Sequence, residues 1–189
     1  MKLEELCDIK IGVQLLRHKI KEKEEEKEKL KKKSISLKSI ENFGLSEEKI
    51  EEIYLKKDVS SEYYTRKGDI LLKLAKPNDV VSISNEIGII IPHHFAILRI
   101  KENMEVDPKY LSYLLGSNKI KRQINKTLEG GSVSILKTSY LKGLDIEIPN
   151  LETQNKYRNF WDLISKKSKL LKKKCELMDK YNSKLFGNI

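Results

Sequence analysis

Residues 161–185 read WDLISKKSKLLKKKCELMDKYNSKL. Within them Trp161, Ile164, Ser168, Leu171, Cys175, Met178, Asn182 and Leu185 recur at spacings that alternate three and four. That period fits a seam along one side of a long helix, not a stripe wrapped into a small core. Ser168 and Asn182 are polar, and most of the remaining surface is charged. The helix therefore has little to pack against by itself. The pattern predicts a second helix from another chain, with Trp161, Ile164, Leu171, Cys175, Met178, Asn182 and Leu185 as the dimer interface. Ser168 and Asn182 read as register markers in that seam.

A length of 189 residues fits one globular domain plus an extension. Hydrophobic residues make up 39%, enough for a core in the first 150 residues, while 35% charged residues suit a long solvated helix. The formal net charge is +10. From Glu152 to the end there are ten Lys/Arg and four Asp/Glu, so this segment alone supplies +6. Such a basic excess points to polyanions, DNA or RNA first. A membrane-surface helix competes less well, because acids interleave with the lysines and the apolar seam is narrow. Cys7 and Cys175 stand far apart, in no metal or redox spacing. No apolar run reaches the roughly 18 residues of a membrane span, and the first 30 residues lack a signal-peptide core. The expectation is a cytoplasmic, reducing location.

The chain before the seam reads as α+β: a compact mixed α/β domain over 1–149, then a long C-terminal coiled-coil helix over 150–189. Leu3, Leu6, Ile9, Ile11 and Val13 form a short apolar pattern broken at Gly12. Residues 18–33, HKIKEKEEEKEKLKKK, are nearly all charge. They read as a solvated helix or loop, or, from Lys31 to Lys33, as a phosphate-contacting arm. Ser34–Ile40 alternates like a strand, and a short helix is expected over Ser46–Ile53. Arg66-Lys67-Gly68-Asp69 reads as a turn into a buried strand at Ile70–Leu72. Val80–Ser84, Ile87–Ile91 and Phe95–Ile100 supply three more β-type runs. Asp107-Pro108 is a helix start, with Asp as N-cap and Pro at the first helical position. Ser117 is placed to cap a helix carrying Ile120, Ile124 and Leu128, which Gly130-Gly131 breaks. Thr138 is placed to cap a short helix ending at Gly143, Leu144–Ile148 alternates as a final strand, and Asn150 is placed to cap the long helix. No segment repeats.

No stretch carries recognisable catalysis. His93 and His94 are adjacent, so in a strand they face opposite ways and cannot share a metal. The strand pairing of an acid with a lysine that nuclease chemistry uses is missing around Asp69–Lys73. Phosphate-cradling loops, a methyltransferase Gly-rich loop and an (N/D)PP(Y/F) tetrad are missing too. Binding remains. Gly130-Gly131-Ser132-Val133-Ser134 offers hydroxyls and backbone N–H groups to phosphate, flanked by Lys126 and Lys137. Lys73, Lys76 and Asn78 cluster on a turn between strands, where such side chains can meet base edges in a major groove. An ordinary polar loop and hairpin are the plain alternatives.

The order of motifs resembles the specificity subunits of type I restriction–modification systems, in a half-length form with one target recognition domain and one spacer helix. Leu3-x-x-Leu6-x-x-Ile9-x-x-Gly12 with Leu16-Arg17 is similar to the family's opening. Lys67-Gly68-Asp69-Ile70-Leu71 is similar to its K-x-G-D-I-L strand, and Pro108-x-Tyr110-Leu111-x-Tyr113-Leu114-Leu115 to its P-x-Y-L-x-x-x-L helix. Gly131-Ser132 through Leu136, Leu141-x-x-Leu144-x-Ile146-x-Ile148-Pro149 and Gln154 are similar to its closing block. The usual member carries two such sets in one chain, and the charged segment 18–33 departs from the aromatic-rich loop of many members.

The resemblance implies a non-catalytic chain that binds half of a bipartite site in double-stranded DNA. Its helix would pair with a second one, antiparallel in the family, and dock a methyltransferase subunit. A restriction subunit is a further partner, and a homodimer is the expected pairing, with no membrane role. S-adenosylmethionine would sit on the methyltransferase, with no cofactor on this chain, and the target adenine would be flipped out of the duplex. The DNA-binding candidates are then Arg17, Lys31, Lys33, Lys73, Lys76, Asn78, Lys126, Ser132, Ser134 and Lys137. A helix of about 35 residues spans roughly 50 Å. At about 3.4 Å per base pair that separates two half-sites by roughly one to one and a half turns of DNA. The alternative is a coiled-coil adaptor that touches nucleic acid without sequence preference.

Overall fold

The computed structural model describes residues 1–18, 30–41, 43–75, 79–85, 87–128 and 135–186. At its centre lies a four-stranded antiparallel sheet in the order β1-β8-β6-β7, built from β1 (Cys7–Ile11), β6 (Ile70–Lys73), β7 (Val80–Ser82) and β8 (Phe95–Ile100). Alternation along each strand sends side chains to opposite faces. Ile70, Leu72, Ala96 and Leu98 point to one face and pack with Leu111, Leu115, Ile120 and Ile124. Those four residues lie on α2 (Pro108–Leu115) and α3 (Asn118–Leu128). Leu71, Val81, Phe95 and Ile97 point to the other face and meet Ile35, Ile40, Ile89 and Ile91. A strand buried on both faces needs an unbroken apolar run, and Ile70-Leu71-Leu72 is that run.

The turn expected before the buried strand is present. The turn before β6 bends at Gly68, whose φ of +88° is the region that glycine enters freely. Asp69 behind it is buried and accepts two hydrogen bonds from Arg99, Nε to Oδ1 at 2.8 Å and Nη2 to Oδ2 at 3.0 Å. The same guanidinium donates to the carbonyls of Glu62 and Tyr64, so one arginine ties β8 to the loop ahead of β6. Gly12 lies so close to residues 91–92 that a Cβ would stand 2.3 Å from the Pro92 carbonyl oxygen.

Several expectations change. The helix expected over Ser46–Ile53 is a 3₁₀ turn at Glu47–Lys49 followed by β5 (Glu51–Leu55). β5 pairs antiparallel with β2 (Leu30–Ser34), which precedes the strand expected at Ser34–Ile40. Of that later stretch only the two ends are strand: Ser34 closes β2, and Ile40 opens β3 (Ile40–Glu41), which forms a small hairpin with β4 (Gly44–Leu45). The run Ile87–Ile91 forms isolated bridges at Ile90, to Ser34 and Tyr64, and no strand. Leu144–Ile148 is extended but not a strand. Its pairing is a bridge from Asp145 to Lys2, with the Ile146 N–H donating to the Met1 carbonyl. Thr138 is the first residue of α4 (Thr138–Lys142), and Lys137 takes the cap position. His93 and His94 sit in a turn, not a strand, and their rings touch with centroids 4.0 Å apart. Residues 19–29 of the charge run lie outside the described residues.

The long helix α5 (Leu151–Phe186, 36 residues) starts as expected, with Asn150 Oδ1 accepting from the Thr153 N–H at 3.0 Å. Its first four turns dock on the domain. Gln154 is fully buried, and its amide donates to the Glu105 carbonyl at 3.0 Å and the Pro149 carbonyl at 2.8 Å. Its oxygen accepts from the Asp107 N–H at 2.9 Å. Asp107 caps α2 through the Tyr110 N–H at 2.7 Å and holds Arg158 at 2.8 Å. One turn further on, Asp162 takes Tyr113 Oη at 2.6 Å and Lys109 Nζ at 2.8 Å. The Trp161 ring stacks on Tyr113, with centroids 5.9 Å apart, and Phe43 meets the edge of Tyr113 at 5.0 Å. Phe43 is held at φ 61°, a costly conformation for a bulky residue, with its ring over Gly116, where a Cβ would stand 2.2 Å from it.

Gln154→Ala removes three hydrogen bonds between a fully buried amide and part-buried backbone groups, and should destabilise the protein by about 3 kcal/mol in urea unfolding. Asp162 gives a pH signature. Burial pushes its carboxyl up, but hydrogen bonds from Lys109 and Tyr113 and the nearby charge of Arg158 outweigh burial and hold it below the ordinary carboxylate value. The unfolded chain therefore takes up this proton at a higher pH than the folded one. The contribution is present at neutral pH and disappears as the pH falls through the carboxylate range, below about 4. With allowance for partial exposure, Asp162→Asn should cost about 1 kcal/mol at pH 7, and its difference from wild type should shrink on acidification.

Candidate nucleic-acid interface and helix platform

The sheet's pairing places Lys73 and the start of β8 at one end, and Gly68 and the end of β7 at the other. The helix docks at the second end: Gly68, Ser82 and Ser84 share a cleft with Asp107, Arg158 and Asp162. Lys73 and the residues that border segments 76–78 and 129–134 lie at the first. Ala75 bridges Ile135, and the Leu136 N–H donates to the Leu74 carbonyl at 2.9 Å. Residues 75 and 135, which border segments outside the described residues, thus meet. The Leu74 N–H donates in turn to the His94 carbonyl at 2.9 Å, which adds the histidine turn to the same end.

Of the sequence candidates, Arg17, Lys126 and Lys137 are exposed, with Lys126 near the end of α3 and Lys137 just before α4. Lys73 is half-buried, 3.3 Å from Asp79, with the Leu37 carbonyl at 3.5 Å. Lys31 and Lys33 lie on β2, and Lys31 pairs with Glu52 at 2.8 Å. Both partners of that pair are exposed, so the ion pair is weak and exchangeable. Lys76, Asn78, Ser132 and Ser134 lie outside the described residues.

Folding adds residues that the sequence reading passed over. A groove of about 480 Å³ opens beside the histidine turn, lined among others by Leu16, Ser36, Lys38, Glu51, His93 and His94. His93 Nδ1 is buried there without a hydrogen-bond partner among the described residues. Burial and the adjacent His93 hold His94 below the ordinary histidine value, so near pH 7 its imidazole is neutral and both donates and accepts. Residues 118–128 contain Lys119, Lys121, Arg122 and Lys126 and no acid, which makes α3 a basic edge. A cleft of about 420 Å³ lies between Gly44–Ser46 and the helix residues Lys169, Lys172, Lys173 and Glu176. Its three lysines face the domain. Charge runs without acids were the available signal for both. Among the described residues no group of three or more metal-ligating side chains gathers, and no helix is long and apolar enough to cross a membrane.

Beyond residue 165 the helix is exposed on every side through residue 185. At about 100° per residue three lines divide its circumference into rough thirds. Gln154, Arg158, Asp162 and Ser165 face the domain. The seam of Ile164, Leu171, Cys175, Met178, Asn182 and Leu185 lies about 100° away and is exposed. Trp161, its first member, is half-buried against Tyr113. The third line, Leu163, Leu170 and Leu177, is 57–68% exposed and was missed because its members recur only every seventh residue.

The sequence matches no family model and no curated protein. Solved structures do match. A chain of a type I R-M system, from work on its complex assembly and conformational transition, is similar over 98% of this chain and 42% of that one, at 17% identity and a TM-score of 0.62. The HsdS subunit from Thermoanaerobacter tengcongensis is similar over 92% of this chain and 38% of its own, at 17% identity and a TM-score of 0.56. The type I restriction–modification S subunit from M. genitalium is similar over 98% and 43%, at 14% identity and a TM-score of 0.56. The chain therefore has the fold of type I restriction–modification S subunits and spans about two fifths of the length of the solved chains it matches.

Proposed function

We propose that this chain is a DNA-specificity subunit of a restriction–modification methyltransferase complex, non-catalytic in itself, that reads one half of a bipartite target. The observation that carries the reading is the match of nearly the whole chain, domain and helix together, to S subunits. The positive balance of +10 supports it, as does the position of Lys73 at one end of the sheet, beside the Ala75–Ile135 bridge that precedes Lys137. In this reading residues 1–149 recognise DNA and 150–189 form the spacer. Arg17, Lys73, Lys126 and Lys137 hold phosphates, together with Lys31, Lys33 and Lys76, while Asn78, Ser132 and Ser134 meet bases or backbone.

The seam pairs with a second copy, which presents identical readers to two half-sites of a gapped palindrome. The leucine line Leu163, Leu170 and Leu177 is left for the methyltransferase subunit, which carries S-adenosylmethionine. A restriction subunit completes the assembly where one is encoded.

Selection from random duplexes tests the DNA reading. One bipartite sequence should be enriched, and affinity should fall steeply with salt. Lys73→Ala, Lys126→Ala and Lys137→Ala combined should reduce the slope of log affinity against log salt by about 3, near 0.9 per lost phosphate contact. Uniform recovery of all duplexes at low salt would refute sequence reading and leave an adaptor with nonspecific contacts. Pairing has its own test. Leu171→Glu with Met178→Glu puts charge into a dry seam and should give monomers in sedimentation, whereas an unchanged dimer removes the seam from the interface.

A further inference from the structure

We propose that the histidine turn at residues 93–94 is a further phosphate site, where His94 meets the DNA backbone by taking up one proton, so that the chain holds its target more tightly as the pH falls. This rests on the DNA-binding reading above. It adds a contact to that reading, and a pH dependence that lysine and arginine, charged throughout the histidine range, do not supply.

Two contacts place the turn beside the phosphate candidate Lys73. The Leu74 N–H donates to the His94 carbonyl at 2.9 Å, and Lys73 Nζ donates to the Leu37 carbonyl at 3.5 Å. Leu37, His93 and His94 are walls of one groove of about 480 Å³. A backbone phosphate held by Lys73 therefore lies at the edge of the groove. The two rings differ in access. His94 is exposed, whereas Nδ1 of His93 is buried, so His94 is the ring that a phosphate reaches. The ring centroids are 4.0 Å apart, and like charges that close oppose each other, so the pair accommodates one proton far more readily than two.

The charge around the turn leaves room for that proton. Lys38 and Glu51 are the charged walls of the groove, one of each sign, so with neutral imidazoles it carries no formal charge. Next to it Lys73 stands 3.3 Å from Asp79, and Arg17 follows the wall residue Leu16. A proton on His94 makes the groove positive. In the free chain burial, and then the adjacent His93, keep His94 neutral near pH 7. A phosphate within about 4–6 Å favours the charged ring, which then donates a charge-assisted hydrogen bond to it. The bound chain thus holds a proton that the free chain lacks. Affinity rises as the pH falls between the bound and free values of His94, and it is flat well above both.

The chain has three histidines, so the source of any pH dependence can be assigned. The full-length chain is titrated with the selected duplex by fluorescence anisotropy, at constant ionic strength, from about pH 8 to about pH 5.5, across the histidine range. Binding should tighten by up to about tenfold per pH unit, the limit for one proton. Calorimetry in two buffers of different ionisation enthalpy should show protons entering the complex, up to about one per chain. That count is read on the unsubstituted protein and does not depend on how a variant folds. His94→Gln keeps a donor and an acceptor but cannot charge. It should flatten the profile and abolish the uptake, while His18→Gln keeps both. A flat profile in the unsubstituted chain, no proton uptake, or a slope that survives in His94→Gln overturns the proton-linked contact and leaves the DNA reading standing. No binding of any duplex at low salt overturns both.

Discussion

The arrangement of domain and helix depends on one buried amide. Gln154 connects three backbone groups: the carbonyls of Glu105 and Pro149 and the N–H of Asp107. These belong to the loop before α2, the segment leading into α5, and the α2 cap. A carboxylate in its place could not donate, and a shorter side chain would leave a polar gap in a dry site. Around this point the ion pairs Arg158–Asp107 and Lys109–Asp162 and the Phe43–Tyr113–Trp161 cluster fix the helix rotation. Rotation is what matters downstream, since it decides which lines of α5 turn away from the domain.

Local chemistry was the most legible part of the sequence. Asp107-Pro108, Gly68 and Asn150 act through neighbours within a few residues, and each does what its side chain and backbone require. β5 was not legible. Ile50 and Ile53 stand three apart, which reads as a helix turn, and the strand exists because β2 lies across from it. The clue lay outside the window: a lysine-rich segment in which Lys33 stands opposite Glu52 and Lys31 forms an ion pair with it. The isolated bridges at Ile90 failed to read for the same reason, since an extended segment becomes a strand only through a partner.

The candidate site divided similarly. Exposed cations beside Gly-Ser and turn segments could be named from composition, and Lys73 and Lys137 do lie at one end of the sheet. Lys38 and His94 join them through contacts between residues far apart in the chain, which no local pattern announces. On the helix the alternating spacing identified one line, while the leucine line and the domain-facing line emerged only once the docking residues fixed the rotation. Trp161 belongs to two of these surfaces, which explains why so large an aromatic opens an otherwise aliphatic and polar seam.

The docked part of α5 is short compared with what it carries. From Gln154 to Asp162 the junction extends about 12 Å, and from Asp162 to Leu185 the free arm extends about 35 Å. Such a lever multiplies angular play roughly threefold: 1 Å of slack at the junction becomes about 3 Å at the tip, close to the 3.4 Å rise of one base pair. The density of hydrogen bonds at the fulcrum is thus a matter of mechanical tolerance as much as stability.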